Sequence, residues 1–474
     1  MEMKFSRRSF LNGAAALAVW PSGLWGADRN GVAAGLPPSD ISIWERSDGT
    51  ATDSVMVRRL YLDLAGRIPT MDEAQSYVRS KDPNKRKALV ESLLESGSFA
   101  DYWAMRFCDV LRVKSEFPIN LWPNAVYVYH ARVRRFVERN ESWERFGRAL
   151  LTSQGSNFRD AEVNFFRATD KRTPEGWAEA VAQTFLGMPP SELPDALRRV
   201  FAGHLKNVQI KNTREWKEEI VFVDGPDCRG ELCDKVFVQR RQIVADAFLM
   251  RIREWIFGPQ AGSTPLKGAK ICGLKDALRK IVLSPEYARG SVTGGFPVRK
   301  LDAEILDDAF CALSGRVRNY YSPAPEPFSF IPPERPTVCI EDGSISSGFL
   351  SLFGRPARDT GLMDERVMDI TAKQRLYLFN SGDIHRKLAN VVTPSMKLPK
   401  GTPHPYVKLK RVERMEILYW QLLSRAPSKR EQNIIADEWN RRSNRGKNKK
   451  VRYSALLHDV AWSLINSKEF IFRT

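Results

Sequence analysis

Apolar positions recur along most of this chain at three- and four-residue spacing, the stripe of a helix with one buried face. The pattern is clearest in RRLYLDLAGRIPTMDEA, Arg58 to Ala74, and in RMEILYWQLLSRAPSKREQ, Arg414 to Gln432. The two segments align: Leu60-Tyr61, Leu64, Arg67, Pro69, Thr70 and Glu73 fall beside Leu418-Tyr419, Leu422, Arg425, Pro427, Ser428 and Glu431. Each predicts an apolar helix running to an arginine, whose charge suits a helix C-terminus, and then a proline that forbids continuation. Thr70 or Ser428 caps the next helix, and Glu73 or Glu431 three residues on completes a capping box. Both segments read as helix, tight corner, helix, and as two copies of one module. Shared helix-end grammar without common origin is the alternative. Each copy is followed by a second echo, LLESGSF (Leu93 to Phe99) and LINSKEF (Leu464 to Phe470), with looser forms in LLTSQGSNF from Leu150 and VLSPEY from Val282. In all of these an apolar helix end meets a serine, and an aromatic then tucks back onto the core.

Few stretches break the helical period. KEEIVFVDG, Lys217 to Gly225, alternates and ends in Asp-Gly, which predicts a short strand and turn. Tyr320 to Gly343 is rich in proline and offers one strand, Thr337 to Ile340. LRVKSEFPINLWPNAVYVYHARV, Leu111 to Val133, sets Asn120 and Asn124 beside Pro118 and Pro123, which is turn chemistry, and adds Phe117 and Trp122 ahead of an aromatic, basic helix. The expected fold class is mainly α and multi-helical, with a small β element between two helical domains. Residues 1–34 are a signal and tail, 35–215 the first domain, and 216–474 the second, with a basic insertion at 439–452.

The 474 residues are 43% hydrophobic and 10% aromatic, ample for real cores and unlike a disordered chain. A net charge of +18 favours anionic partners: nucleic acid, acidic lipid, or acidic and sulfated polysaccharide. The first residues, MEMKFSRRSFLNGAAALAVW, narrow that choice. A charged start precedes an apolar run, Phe10 to Trp20, that is too short to span a bilayer and fits a secretory signal. Ser6-Arg7-Arg8-Ser9-Phe10-Leu11 matches the twin-arginine export signature. Cleavage is expected after Ala27 or, with the better Val32-Ala33-Ala34 site, after Ala34. No later run is long enough for a transmembrane helix. The expected location is therefore periplasmic or extracytoplasmic, which sets nucleic acid aside as a partner and favours envelope polymers. WNRRSNRGKNKKVR, Trp439 to Arg452, carries seven Lys/Arg and no acid. It is either a solvated loop or an electrostatic handle for an anionic surface.

Six cysteines (Cys108, Cys228, Cys233, Cys272, Cys311, Cys339) suit an oxidising compartment, and Cys228 with Cys233, around a short Arg-Gly-Glu-Leu stretch, is the expected disulfide. No CxxC is present, and the five histidines show no metal-ligand spacing, so neither a metal site nor a cofactor is expected. His130, His204, His404 and His458 stand alone. No Ser-His-Asp order, GxSxG elbow, P-loop or GxGxxG context occurs.

Several blocks together resemble a known pairing, the planctomycete-type domains of unknown function numbered 1549 and 1553. The first is carried by VRRLYLDLAGRIPT (Val57 to Thr70), by the run from Asp82 to Val126 that includes the WPN loop, and by TPEGWAEAVAQTFLGM (Thr173 to Met188). The second is carried by KLDAEILDDAFCALSGR (Lys300 to Arg316), FLSLFGRPARDT (Phe349 to Thr360) and AWSLINSKEFIFR (Ala461 to Arg473). The resemblance implies an exported bacterial protein, of a kind often fused behind a cytochrome c domain and often encoded beside a sulfatase-like exported protein. It carries over no catalytic residue. Where many members follow the TFLG block with a haem-type cysteine pair and histidine, this chain has Met188-Pro189-Pro190-Ser191. Where many have cysteines after the GRP block, it has Gly361-Leu362-Met363-Asp364-Glu365-Arg366.

Two places carry candidate chemistry. In FLSLFGRPARDTGLMDERVMD, Phe349 to Asp369, Arg355, Arg358 and Arg366 could clamp a carboxylate or sulfate, since guanidinium suits bidentate binding. Asp359, Asp364 and Glu365, with His385, could supply the acid and base of glycoside hydrolysis. The alternative is an arginine–carboxylate network that pins a loop onto the helical core. In the WPN loop, Glu116, Asn120, Trp122 and Asn124 suit sugar recognition, an aromatic platform with charged rims; a stiff corner with buried aromatics is the alternative. The first functional expectation is a non-catalytic envelope protein that binds an anionic polysaccharide or assists a sulfatase-like partner. A carbohydrate-active hydrolase and an electron-transfer component are the two others.

Overall fold

The module predicted at both ends folds as helix, corner, helix. In the computed structural model, helix Asp53–Leu60 runs on through a wider turn, Tyr61–Ala65, and helix Met71–Arg79 follows the corner. Arg67 grips Glu73 with two bonds of 2.7 Å, and Thr70 and Glu73 form the full capping box. Burial works to raise the Glu73 pKa, but the hydrogen bonds from Arg67 and Thr70 hold the carboxyl down at about 2. The second copy repeats the geometry between helices Arg411–Leu423 and Lys429–Ser443. Arg425 grips Glu431 at 2.7 and 2.9 Å, and Ser428 and Glu431 exchange capping bonds. Each arginine also lies over the ring of the tyrosine six residues earlier, Tyr61 at 4.8 Å and Tyr419 at 5.5 Å. The serine echoes are helix caps too: Ser96, Ser284 and Ser467 accept from the N–H of Phe99, Tyr287 and Phe470, all three fully buried aromatics. The stretch from Leu150 departs from this and turns into a strand instead.

The structure describes residues 42–258, 273–315, 318–392, 411–443 and 449–474. The expected signal, Cys272, His404 and part of the basic insertion lie outside them. The fold is mainly α, and no described helix is long and apolar enough to cross a membrane. The chain forms two compact units, and they do not follow a single cut near residue 215. Among the described residues, the first gathers those up to Lys87, Ser284–Arg318 and Met368–Thr474; the second gathers Ala88–Leu283 and Asn319–Val367. The reason is visible in the first unit, where the two copies of the module share partners: Arg58 donates to the carbonyls of Leu422 (2.6 Å) and Phe470 (3.1 Å).

A buried polar knot holds this first unit. Asp63 is wholly buried and accepts two contacts from Arg473 at 2.7 and 2.9 Å and one from the Tyr287 hydroxyl at 2.8 Å. Arg59, equally buried, donates to the carbonyls of Thr474, Tyr287 and Arg289 and lies 3.4 Å from the Phe296 ring centre. Burial pushes its pKa down to about 9. A two-residue strand pair, Arg299–Lys300 with Phe472–Arg473, fixes the register at which Arg473 arrives.

The second unit has an aromatic core. Phe107, Phe136, Trp143, Phe185, Phe248 and Trp255 meet at ring-centre distances of 5.2 to 6.2 Å and come from helices including Gly97–Val110, Pro123–Glu138 and Arg241–Phe257. The predicted strand is present as β3 (Glu219–Val223), between β1 (Gly155–Ser156) and β2 (Val208–Asn212), antiparallel to both. β2 falls in the region read as helical, although VQIKN does alternate. The strand expected at Thr337 to Ile340 is instead a 3-10 turn, Thr337–Cys339, closed back onto Pro336 and Thr337, with no strand beside it among the described residues. The described part of the basic insertion is helical, and Arg441 and Arg442 are paired with Glu438, the latter also with Asp459 at 2.7 Å.

Replacing Asp63 with Asn strands the Arg473 guanidinium in the interior, and losses of about 3–5 kcal/mol follow when one partner of a buried pair goes. Tyr287→Phe removes a single hydrogen bond and costs roughly 1–3 kcal/mol. Urea unfolding of both variants measures the order; equal effects would mean that the charge pair does not outweigh the hydroxyl in holding the knot together.

Candidate functional site

The densest polar segment of the second unit is clamped from below. Asp109, near the end of helix Gly97–Val110, accepts from Arg358 at 2.9 Å and from Arg366 at 2.8 Å. Burial alone would raise the Asp109 pKa, but the guanidiniums of Arg366 and Arg358 hold it below the usual range. Arg358 also donates to the carbonyls of Val113 and Glu341, and Arg355 to those of Ile345 and Asp342. The three arginines offered by the sequence as anion clamps thus direct these donors at the protein's own backbone and at Asp109. The carboxylates behave alike. Asp359 pairs with Lys114, and Glu365 accepts from the Asp359 N–H at 2.7 Å and the Thr360 hydroxyl at 3.2 Å. Asp364 is exposed. His385 belongs to the first unit and stacks on His458 at 5.6 Å. The corner depends on Gly354, with a φ of 87° and a position where a Cβ would stand 2.4 Å from the Val367 carbonyl.

The expected Cys228–Cys233 disulfide is corrected: both thiols are free, as are Cys108 and Cys311. Cys228 caps helix Arg229–Cys233 and Cys233 ends it. Five residues along a helix separate Cα atoms by roughly 8 Å, beyond the usual disulfide span of about 4.4–6.8 Å.

The WPN loop is a fixed corner that keeps its aromatics at the surface. The Ser115 N–H donates to Asp342 and the Glu116 N–H to Ser344, each at 3.0 Å. Arg172 and Arg167 donate to the carbonyls of Ile119 and Leu121. Asn120 and Trp122 take left-handed φ angles of 57° and 71°. For tryptophan that conformation is rare and costs about 1–3 kcal/mol, so it persists where surrounding bonds over-determine it. Pro123 then opens helix Pro123–Glu138, with Asn124 exposed beside it and Glu116 half-buried.

This corner presents an aromatic and cationic surface. The Trp122 ring meets Phe328 at 5.3 Å. The Lys217 ammonium stands 5.6 Å from the ring centres of both Trp122 and Trp216. Phe117 (74%), Trp216 (68%) and Phe330 (63%) are largely exposed on the loops that carry these residues. The sequence points to Trp122 but not to Trp216, Lys217 or Phe328 as its companions. Trp216-Lys217, at the start of the predicted strand, is the available signal; Phe328 sits in a proline-rich stretch with no periodicity to read. Beneath the surface, on the helix that Trp122 introduces, His130 is buried, and desolvation followed by the charges of Arg358, Arg335 and Arg134 drives its pKa down to about 3.

A cleft of about 590 Å³ in the first unit, lined by Arg46, Asp48, Asp53, Tyr77, Lys85 and Arg86 among others, is a weaker candidate. Three of its charges already satisfy one another: Asp53 takes Arg46 at 2.8 Å and Lys85 at 2.9 Å.

Residues 45–203, which include the first module copy and the WPN loop, match the model of a family described as PSCyt2, a protein of unknown function (DUF1549). No curated protein and no solved structure matches the chain.

His130 supplies a pH test. Its folded pKa lies below the unfolded value, so the folded state takes up fewer protons and stability falls as pH drops from about 6.5 towards 3, by roughly 1.4 kcal/mol per pH unit for the single group. The His130→Gln variant should lose that slope between about pH 6.5 and 4.5, above the carboxylate range, in urea titrations; an unchanged slope refutes a neutral buried His130.

Proposed function

We propose that this chain is an exported envelope protein that binds an acidic or sulfated polysaccharide through the surface around Trp122, without cleaving it. One observation carries the reading: Trp122 on a rigid corner, with Phe328 against its ring and one lysine ammonium, Lys217, over both Trp122 and Trp216. Flat aromatic faces receive the apolar face of a sugar ring, and the ammonium receives its carboxylate or sulfate. The left-handed Trp122 is pre-set, so binding orders little further backbone. The net charge of +18 draws the polymer in at long range. The export signature at Ser6 to Leu11 supports the compartment in which such polymers occur. In this setting the sulfatase-like exported protein implied by the family resemblance is the enzyme, and this chain holds the polymer for it. The hydrolase reading has less to support it, because Asp359 and Glu365 brace their own loop.

The test is a titration of the full chain with dextran sulfate, alginate and uncharged dextran, followed by tryptophan fluorescence. The charged polymers should bind and dextran should not. Trp122→Ala and Trp216→Ala should weaken binding about tenfold, and Lys217→Ala roughly threefold to tenfold with a shallower salt dependence. Equal binding by wild type and both tryptophan variants would reduce the effect to net charge and sink the proposal, as would product formation from the polymers.

A further inference from the structure

We infer that His204, Cys228 and Glu231 form a zinc site, independent of the aromatic surface. His204 lies in the last turn of helix Asp195–Leu205, and Cys228 and Glu231 flank the start of helix Arg229–Cys233, which packs against it. A spacing of three puts the thiol and the carboxylate on one face of that first turn. One ligand atom from each of the three residues falls within 4.8 Å of the other two, and His204 Nδ1 already stands 3.6 Å from Glu231 Oε2.

Ligand atoms of a tetrahedral site with bonds of about 2.0–2.3 Å stand roughly 3.3–3.8 Å apart. The histidine–glutamate pair meets that spacing as it is. Rotation of the Cys228 and His204 side chains, both half-buried, together with the 70% exposed Glu231 side chain, supplies the rest of the contraction. The backbone that presents Cys228 is held in place. Arg229, buried, grips both oxygens of Asp227 at 2.8 and 2.7 Å and donates to the Ser153 carbonyl at 2.8 Å. Thiolate, imidazole and carboxylate together form a borderline donor set suited to Zn²⁺ rather than to Ca²⁺ or Mg²⁺. Three protein ligands leave a fourth position to water or to a ligand oxygen, the coordination of an open site. Because these ligands come from positions 24 and 27 residues apart on two helices, spacing along the sequence does not reveal them.

The experiment is titration of the reduced, metal-free full chain with Zn²⁺, and separately with Co²⁺. One Zn²⁺ should bind per chain with release of the thiol proton, and affinity should fall as pH drops. Co²⁺ should give a thiolate charge-transfer band together with intense d–d bands of tetrahedral type. Cys228→Ser should weaken zinc binding more than about 100-fold and abolish the charge-transfer band, and Glu231→Gln should weaken it about tenfold. Cys339→Ser, a thiol elsewhere in the second unit, should change neither. If Cys228→Ser fails to fold by circular dichroism, Glu231→Gln and His204→Gln decide, since Glu231 is on the surface. Absence of one-to-one binding, or the same affinity in wild type and these variants, overturns the assignment.

Discussion

The first unit depends on one carboxylate. Asp63 has no access to water, and an isolated charge there would be untenable; its partners must come to it. They come from far apart in the chain, Tyr287 from the middle and Arg473 from the end. Arg59, on the same helix, gathers the carbonyls of Tyr287, Arg289 and Thr474 around the knot. The requirement that every buried charge find its donor therefore decides which stretches of chain belong together. It also explains why the unit is assembled from three separated segments and not from one half of the sequence.

The two module copies show how a local rule meets different surroundings. Arg67 and Arg425 serve the same purpose, closing a proline corner onto a capping glutamate. The second copy is more deeply enclosed, and there Arg425 takes a further carboxylate, Glu469, from the Ser467-capped turn. The position equivalent to Glu469 after the first copy is Ser98, and Arg67 is left with Glu73. An arginine with more of its surface buried carries more of its charge balance inside the protein.

What can be read from the sequence is local. Helix stripes, the caps at Thr70, Ser96, Ser428 and Ser467, and the strand Glu219–Val223 each follow from a few neighbouring residues. The pairings that decide the candidate site are not local. Asp109 meets Arg358 and Arg366 across separations of 249 and 257 residues, so arginines that look free to bind a ligand are in fact occupied. Trp122 stands out in its loop, but its left-handed backbone is imposed by the bonds that hold that loop, and its companions Trp216 and Phe328 reach it only through folding. The cysteine pair misleads for a related reason: the short helix between Cys228 and Cys233 holds the two thiols apart, and nothing in so brief a stretch announces a helix.

The separation of Asp63 from Arg473 is 410 residues. During synthesis the aspartate's helix emerges well before its arginine. The first unit therefore cannot close until Arg473 has been made, whereas most of the second unit is a continuous stretch that is complete long before. The order of folding is built into where the charges lie: the second unit matures first, and the first waits, with its polar knot still hydrated, for Arg473 to arrive.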